Sequence, residues 1–174
     1  MNKKPLVLLD VDGVINALCS EDDTPPDFDD WDYVECGFSP IRYSKKLLKQ
    51  LIGLDLDIHW LTTWGNAANE HLAPLFGWDP LPVIERAGHD RLAGPNGWWK
   101  SSAAHQFVNA QNRPFIWIDD DLDYSINEGD VPWLEDCTIP HLIVSPDART
   151  GISVADFDKM RQFIQQHQTI STTT

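Results

Sequence analysis

Two short stretches of this chain carry side chains that could do chemistry together. Asp10-Val11-Asp12-Gly13 closes the apolar run Leu6-Val7-Leu8-Leu9, and Asp119-Asp120-Asp121 closes another, Phe115-Ile116-Trp117-Ile118. Residues two apart in an extended segment point to one side, so Asp10 and Asp12 can face a common space, and Gly13 permits a sharp departure of the chain. Four or five carboxylates brought together repel one another unless a cation sits between them. Asp10, Asp12, Asp119 and Asp120 are therefore candidate metal ligands. An all-oxygen set suits Mg²⁺, which keeps several waters and meets phosphate oxygens. A third strand-like segment, residues 56–61 (Leu-Asp-Ile-His-Trp-Leu), ends in Thr62-Thr63. Lys100 heads a helical stretch, where a cation is disfavoured by about 0.3–1 kcal/mol; phosphate or carboxylates nearby reverse that sign. Taken singly, each group has an ordinary reading: a solvated strand-end acid, a Thr bonding local backbone, a surface lysine. Gly13 and the second acidic cluster together favour a site.

The elements that must position these groups alternate between strand and helix. The runs at residues 6–9, 56–61, 115–118 and 141–144 read as buried strands, with a weaker one at 82–85. Ser39-Pro40 reads as an N-cap followed by Pro at the first helical position, opening a helix that Gly53 stops. Asn66 is placed to cap a short helix ended by Pro74 and Gly77, and a further helix spans about 100–111. Ser153 and Asp156 form a capping-box variant that opens a last helix carrying Val154, Phe157, Met160 and Ile164 on one face. Residues 16–38, rich in Asp, Pro and aromatics without a period, read as an acidic flap, and 169–174 as a frayed tail. This order implies an α/β chain, a three-layer Rossmann-like fold on a central, mostly parallel five-stranded sheet, with residues 1–168 as one domain. In such folds ligands bind at the carboxyl ends of the strands, where all three polar clusters fall.

Val7-Leu8-Leu9-Asp10-Val11-Asp12-Gly13-Val14, Trp60-Leu61-Thr62, Lys100 and Ile118-Asp119-Asp120 resemble, in that order, the four motifs of the haloacid dehalogenase-like (HAD) superfamily, mainly phosphatases and phosphotransferases. The resemblance runs from residue 5 to about 145. It implies that Asp10 attacks phosphorus and forms an aspartyl-phosphate, and that Asp12 protonates the leaving oxygen and then activates water. It also implies Mg²⁺ on Asp10, the Asp12 backbone carbonyl and Asp119, with Asp120 completing or orienting the shell. Thr62 would bond a phosphoryl oxygen, and Lys100 would offset remaining charge. Residues 16–38 and the stretch after Thr62 leave no room for the folded cap of many superfamily members, so the cap is a flap only. An open site of this kind suits phosphoryl groups on larger molecules as well as small ones. Trp60-Leu61-Thr62-Thr63-Trp64, with Asn69 following, is similar to small members from bacterial RNA-repair proteins, which points to a nucleotide or polynucleotide end. Gly13, Thr63, Trp64 and Trp99 are the candidate substrate contacts. Trp64, Trp98 and Trp99 could stack on a ring, although packing is the commoner use of Trp.

A different class shares the same parts list: receiver-like phospho-acceptor modules gather acids, a Thr and a Lys around Mg²⁺ on a parallel sheet. Their acidic pair is adjacent in sequence, whereas Asp-x-Asp supplies a nucleophile and an acid/base together, which favours turnover. The chain-wide balance of 13 basic and 27 acidic residues, net −14, argues against an extensive nucleic-acid surface or an anionic membrane as partner. Residues 10–35 hold ten carboxylates and 119–136 eight, both without Lys or Arg; elsewhere 9 acids face 13 bases. Cys19, Cys36 and Cys137 are odd in number and lack ligand spacing, and no apolar run reaches the ~20 residues of a bilayer span, so a cytoplasmic protein is expected. His59, His89 and His105 have no ligand-like spacing and read as structural, and Gly88-His89-Asp90 as a loop.

Overall fold

The computed structural model describes residues 4–20, 23–37, 39–86 and 97–168. Residues 169–174, expected as a tail, His89 with the loop expected there, and Glu21 of the acidic stretch lie outside them. Four parallel strands form the central sheet in the order β4-β1-β5-β6: β1 (Leu6–Leu9), β4 (Asp57–Trp60), β5 (Phe115–Ile118) and β6 (His141–Val144). β1 and β5 are central, and every residue in them is buried.

Their continuous apolar character resolves into two alternating sets. Val7, Leu9, Ile116 and Ile118 face one core, with Leu47, Leu48 and Leu51 of α1 (Lys45–Gly53) and Phe157, Met160 and Ile164 of α5 (Val154–Gln168). Leu6, Leu8, Phe115 and Trp117 face the other, with Ala103, Ala104 and Val108 of α3 (Trp99–Gln111). A strand covered on both sides has no solvent face to mark with polar residues, so the layers number three.

Three expectations change. The sheet has four strands, because residues 82–85 contribute a single bridge, Val83 to Trp60. Pro80 and Pro82 bring no N–H to a longer ladder. Second, Ser39-Pro40 begins a strand, not a helix. β2 (Trp31–Cys36) and β3 (Ser39–Ser44) form an antiparallel hairpin turned at Gly37, and Ser44 is the N-cap of α1, accepting from the Leu47 N–H at 3.1 Å. Ile41 and Tyr43 suit a strand, and the helical spacing of Leu47, Leu48 and Leu51 starts only after Ser44. Third, Asn66 caps nothing: a π-helical turn (Ala68–Leu72) runs into α2 (Ala73–Phe76), with Pro74 inside its first turn and Gly77 in the left-handed region ending it. The capping box stands as expected: the Asp156 N–H bonds Ser153 Oγ at 3.1 Å, and Asp156 Oδ2 accepts the Ser153 N–H at 3.1 Å.

The acids of residues 23–32 are structural ties. Asp30 Oδ2 accepts the Lys46 N–H at 2.9 Å and its other oxygen accepts the Ser44 hydroxyl; Asp27 accepts the Val154 N–H at 2.8 Å. They thereby satisfy donors at the starts of α1 and α5. Asp29 pairs with Lys46, Asp32 with Lys45, and Asp23 with Arg149. α1 has no acid in its own first turn, so the hairpin and the segment before it supply the negative charge that its N-terminus favours. Cys19, Cys36 and Cys137 are free thiols. Among the described residues no helix is long and apolar enough to cross a membrane.

Candidate active site

Sheet register brings the two acidic clusters together. Leu9 pairs with Ile118, so the next residues, Asp10 and Asp119, leave neighbouring strands at the same level. The Asp10 N–H still bonds the Ile118 carbonyl (3.0 Å) and the Asp119 N–H the Val144 carbonyl (3.1 Å). Both carboxylates are therefore held by the sheet before their side chains diverge from it. On the other side, Leu61 N bonds the Leu9 carbonyl at 2.9 Å, bringing Thr62 to the same edge, where its hydroxyl bonds Asp10.

Lys100 enters from the first turn of α3. Its Nζ lies 2.6 Å from Asp10 Oδ2 and 2.6 Å from Asp119 Oδ2, with the lysine only 4 % exposed. The helix-start position that disfavours a cation is thus offset by two carboxylates. Burial, the strongest single influence on the ammonium, acts to lower its pKa, but Asp10 and Asp119 together outweigh it and the pKa rises. Burial also raises Asp10 against the opposing pull of Lys100. Asp119, fully buried and beside Asp10, is pushed up to about 7. Asp120 rises to about 6, through burial first and then its neighbours Asp121 and Asp10.

Asp10, Asp119 and Asp120 each offer an oxygen within 4.8 Å of the others, a group that could hold a metal ion. Lys100 pairs with two of the three carboxylates, Asp10 and Asp119, and an all-oxygen donor set fits a hard divalent cation. Gly13 has φ +71°, and a Cβ there would stand 2.3 Å from Asp120 Cγ. Only glycine lets the first loop close this far over the second acidic cluster. Further polar contacts hold the cluster from behind: the Asp121 N–H bonds Asp119 Oδ1 at 3.1 Å, and Ser145 Oγ donates to the Asp120 carbonyl at 3.0 Å.

The side chain of Asp12 stands outside this group. Its Oδ1 accepts from Asn16 Nδ2 at 2.7 Å and its Oδ2 from Trp64 Nε1 at 2.9 Å. Trp64 is a core residue, 4 % exposed, and packs as most tryptophans do. Trp98 stacks on Trp117 with centroids 5.3 Å apart, Trp99 lies under the Arg86 guanidinium, and Thr63 is exposed. His59 pairs with Asp57 and packs on Phe107, its pKa lowered chiefly by burial; His105 bonds Asn109. Asn16 and Ser145 escaped the sequence reading. The one signal for Asn16 was an amide four residues beyond Asp12 in an otherwise apolar stretch.

Residues 6–157 match the family model described as the HAD domain in Swiss Army Knife RNA repair proteins. No curated protein and no solved structure matches the chain.

Proposed function

The chain belongs to the family of HAD domains in Swiss Army Knife RNA repair proteins, and from that premise we propose that it is a Mg²⁺-dependent phosphomonoester hydrolase. The observation that carries the reading is the meeting of Asp10, Asp119 and Asp120, with the buried ammonium of Lys100 on the first two and Asp12 separately held two residues beyond Asp10.

An Asp10 oxygen forms the new bond to phosphorus as the ester P–O bond breaks, and the departing oxygen takes the proton of Asp12. Asp12, now ionised, accepts a proton from the water that attacks the aspartyl-phosphate, releasing phosphate and restoring Asp10. Asp10, Asp119 and Asp120 would hold Mg²⁺, whose charge offsets the repulsion between nucleophile and phosphate. Lys100 uses two of its three N–H donors on Asp10 and Asp119 and has a third for a phosphoryl oxygen. Thr62 donates its one O–H to Asp10 and so orients the nucleophile.

The family description supports a phosphorylated nucleotide or polynucleotide end as the substrate. A panel of phosphorylated metabolites and oligonucleotides, assayed for phosphate release with Mg²⁺, tests the reading. Release that Asp10→Asn abolishes is the expected result. No release from any member overturns it, and stable labelling of Asp10 by acetyl phosphate would identify a phospho-acceptor instead.

A further inference from the structure

We propose that Trp64 and Asn16 are positioning residues that hold the carboxylate of Asp12 in one orientation for proton transfer. The proposal rests on the phosphatase reading above and adds to it the groups that aim the acid/base.

Donor chemistry leaves little freedom in this contact. An indole N–H only donates, so Trp64 Nε1 takes one lone pair of Asp12 Oδ2. An Asn amide could face Asp12 with either end, but the backbone N–H of Arg42 donates to Asn16 Oδ1 at 2.8 Å. That backbone donor settles the orientation, and the Asn16 NH₂ must be the end that faces Asp12 Oδ1. A carboxylate has about four lone-pair directions, two on each oxygen. With one on each oxygen taken, the transferred proton must travel along the remaining two.

Both holders are themselves fixed. Trp64 sits in the core, and Asn16 is 2 % exposed, with its N–H on the Val11 carbonyl (2.9 Å) and its carbonyl on the Gly13 N–H (2.9 Å). Because Arg42 belongs to β3, the hairpin's backbone reaches Asp12 through one side chain. Two donors from segments 48 residues apart in sequence converge on a half-buried carboxylate that a solvated loop residue would not need.

Leaving groups distinguish positioning from support of the fold. Trp64→Phe keeps most of the ring and loses the N–H. Its kcat/KM, which reports phosphoryl transfer from the free enzyme, is expected to fall about tenfold or more on glycerol phosphate, whose alkoxide needs a proton. On p-nitrophenyl phosphate, whose phenolate leaves without one, the fall is expected to stay below about threefold. Asn16→Asp keeps an acceptor for Arg42, removes the donor to Asp12, and is expected to show the same split. Equal losses on both esters, or none on either, overturn the proposal.

A second measurement needs no catalysis. Among the indole N–H signals of the eight tryptophans, that of Trp64 in ¹⁵N-labelled protein is expected to move most in Asp12→Ala. An unmoved signal overturns the proposal even where a variant fails to fold. The phosphatase reading fails where the wild type releases phosphate from no member of the panel, and the indole signal alone then decides whether Trp64 holds Asp12.

Discussion

The acids of residues 23–32 and the acids at the carboxyl ends of β1 and β5 are the same functional group put to opposite uses. In the first region each carboxylate has its own partner: Asp23 has Arg149, Asp29 has Lys46, Asp32 has Lys45, and Asp27 and Asp30 have backbone donors of α5 and α1. In the second, three carboxylates stand together, and Lys100 pairs with two of them, Asp10 and Asp119. Charge is dispersed one-to-one at the surface and left uncompensated at the site. Uncompensated carboxylate is what a divalent cation requires, whereas satisfied carboxylate serves as a cap or a tether.

The largest effects should come from breaking the shared cluster. Asp10→Asn is expected to lower phosphate release by about a thousandfold or more, the scale of losing a nucleophile. Lys100→Met leaves Asp10 and Asp119 buried without their cation. Removing one partner of a buried pair costs about 3–5 kcal/mol, so denaturant unfolding without metal should show a loss of that order, and added Mg²⁺ should recover part of it.

A pH series sharpens the contrast further. In metal-free protein Asp119, at about 7, holds its proton more tightly than in the unfolded chain. Between about pH 4 and pH 7 the folded state therefore binds more protons, and stability falls as pH rises, with the full cost present above pH 7. Mg²⁺, which favours the ionised form, should raise the melting temperature most at the upper end. Asp119→Asn should flatten the pH dependence and weaken the response to Mg²⁺. An equally strong Mg²⁺ response in that variant would place the cation elsewhere.

The smallest effects belong to the ties. Asp30→Ala removes a helix-start acceptor and should cost about 1 kcal/mol in denaturant unfolding. Its Mg²⁺ response should match the wild type, because its carboxylate takes no part in the cluster. A lost response would show that the two acidic regions are coupled.

Much of the sheet was legible because β1, β5 and β6 are short apolar runs bounded by polar residues, and sheet edges show themselves through such boundaries. The hairpin was not. Trp31 to Cys36 has no clean alternation, and its pairing with β3 depends on contacts that local pattern does not record. Ser39 and Ser44 are both acceptable caps by residue type; the strand ahead of Ser44 decides between them.

Asp10, Asp119, Asp120, Thr62 and Lys100 could be picked out because each stands at an element's end, where chemistry in a parallel sheet collects. The chain's own order of residues thus determined which groups carry the site's charge and at which edge they stand, since strand ends follow from local hydrophobic runs. Only the tertiary structure decided how those charges are shared. Lys100 reaching two strands, Gly13 admitting Asp120, and Trp64 closing on Asp12 are contacts between residues far apart in sequence. Such contacts are selected by packing and register, which no local pattern encodes.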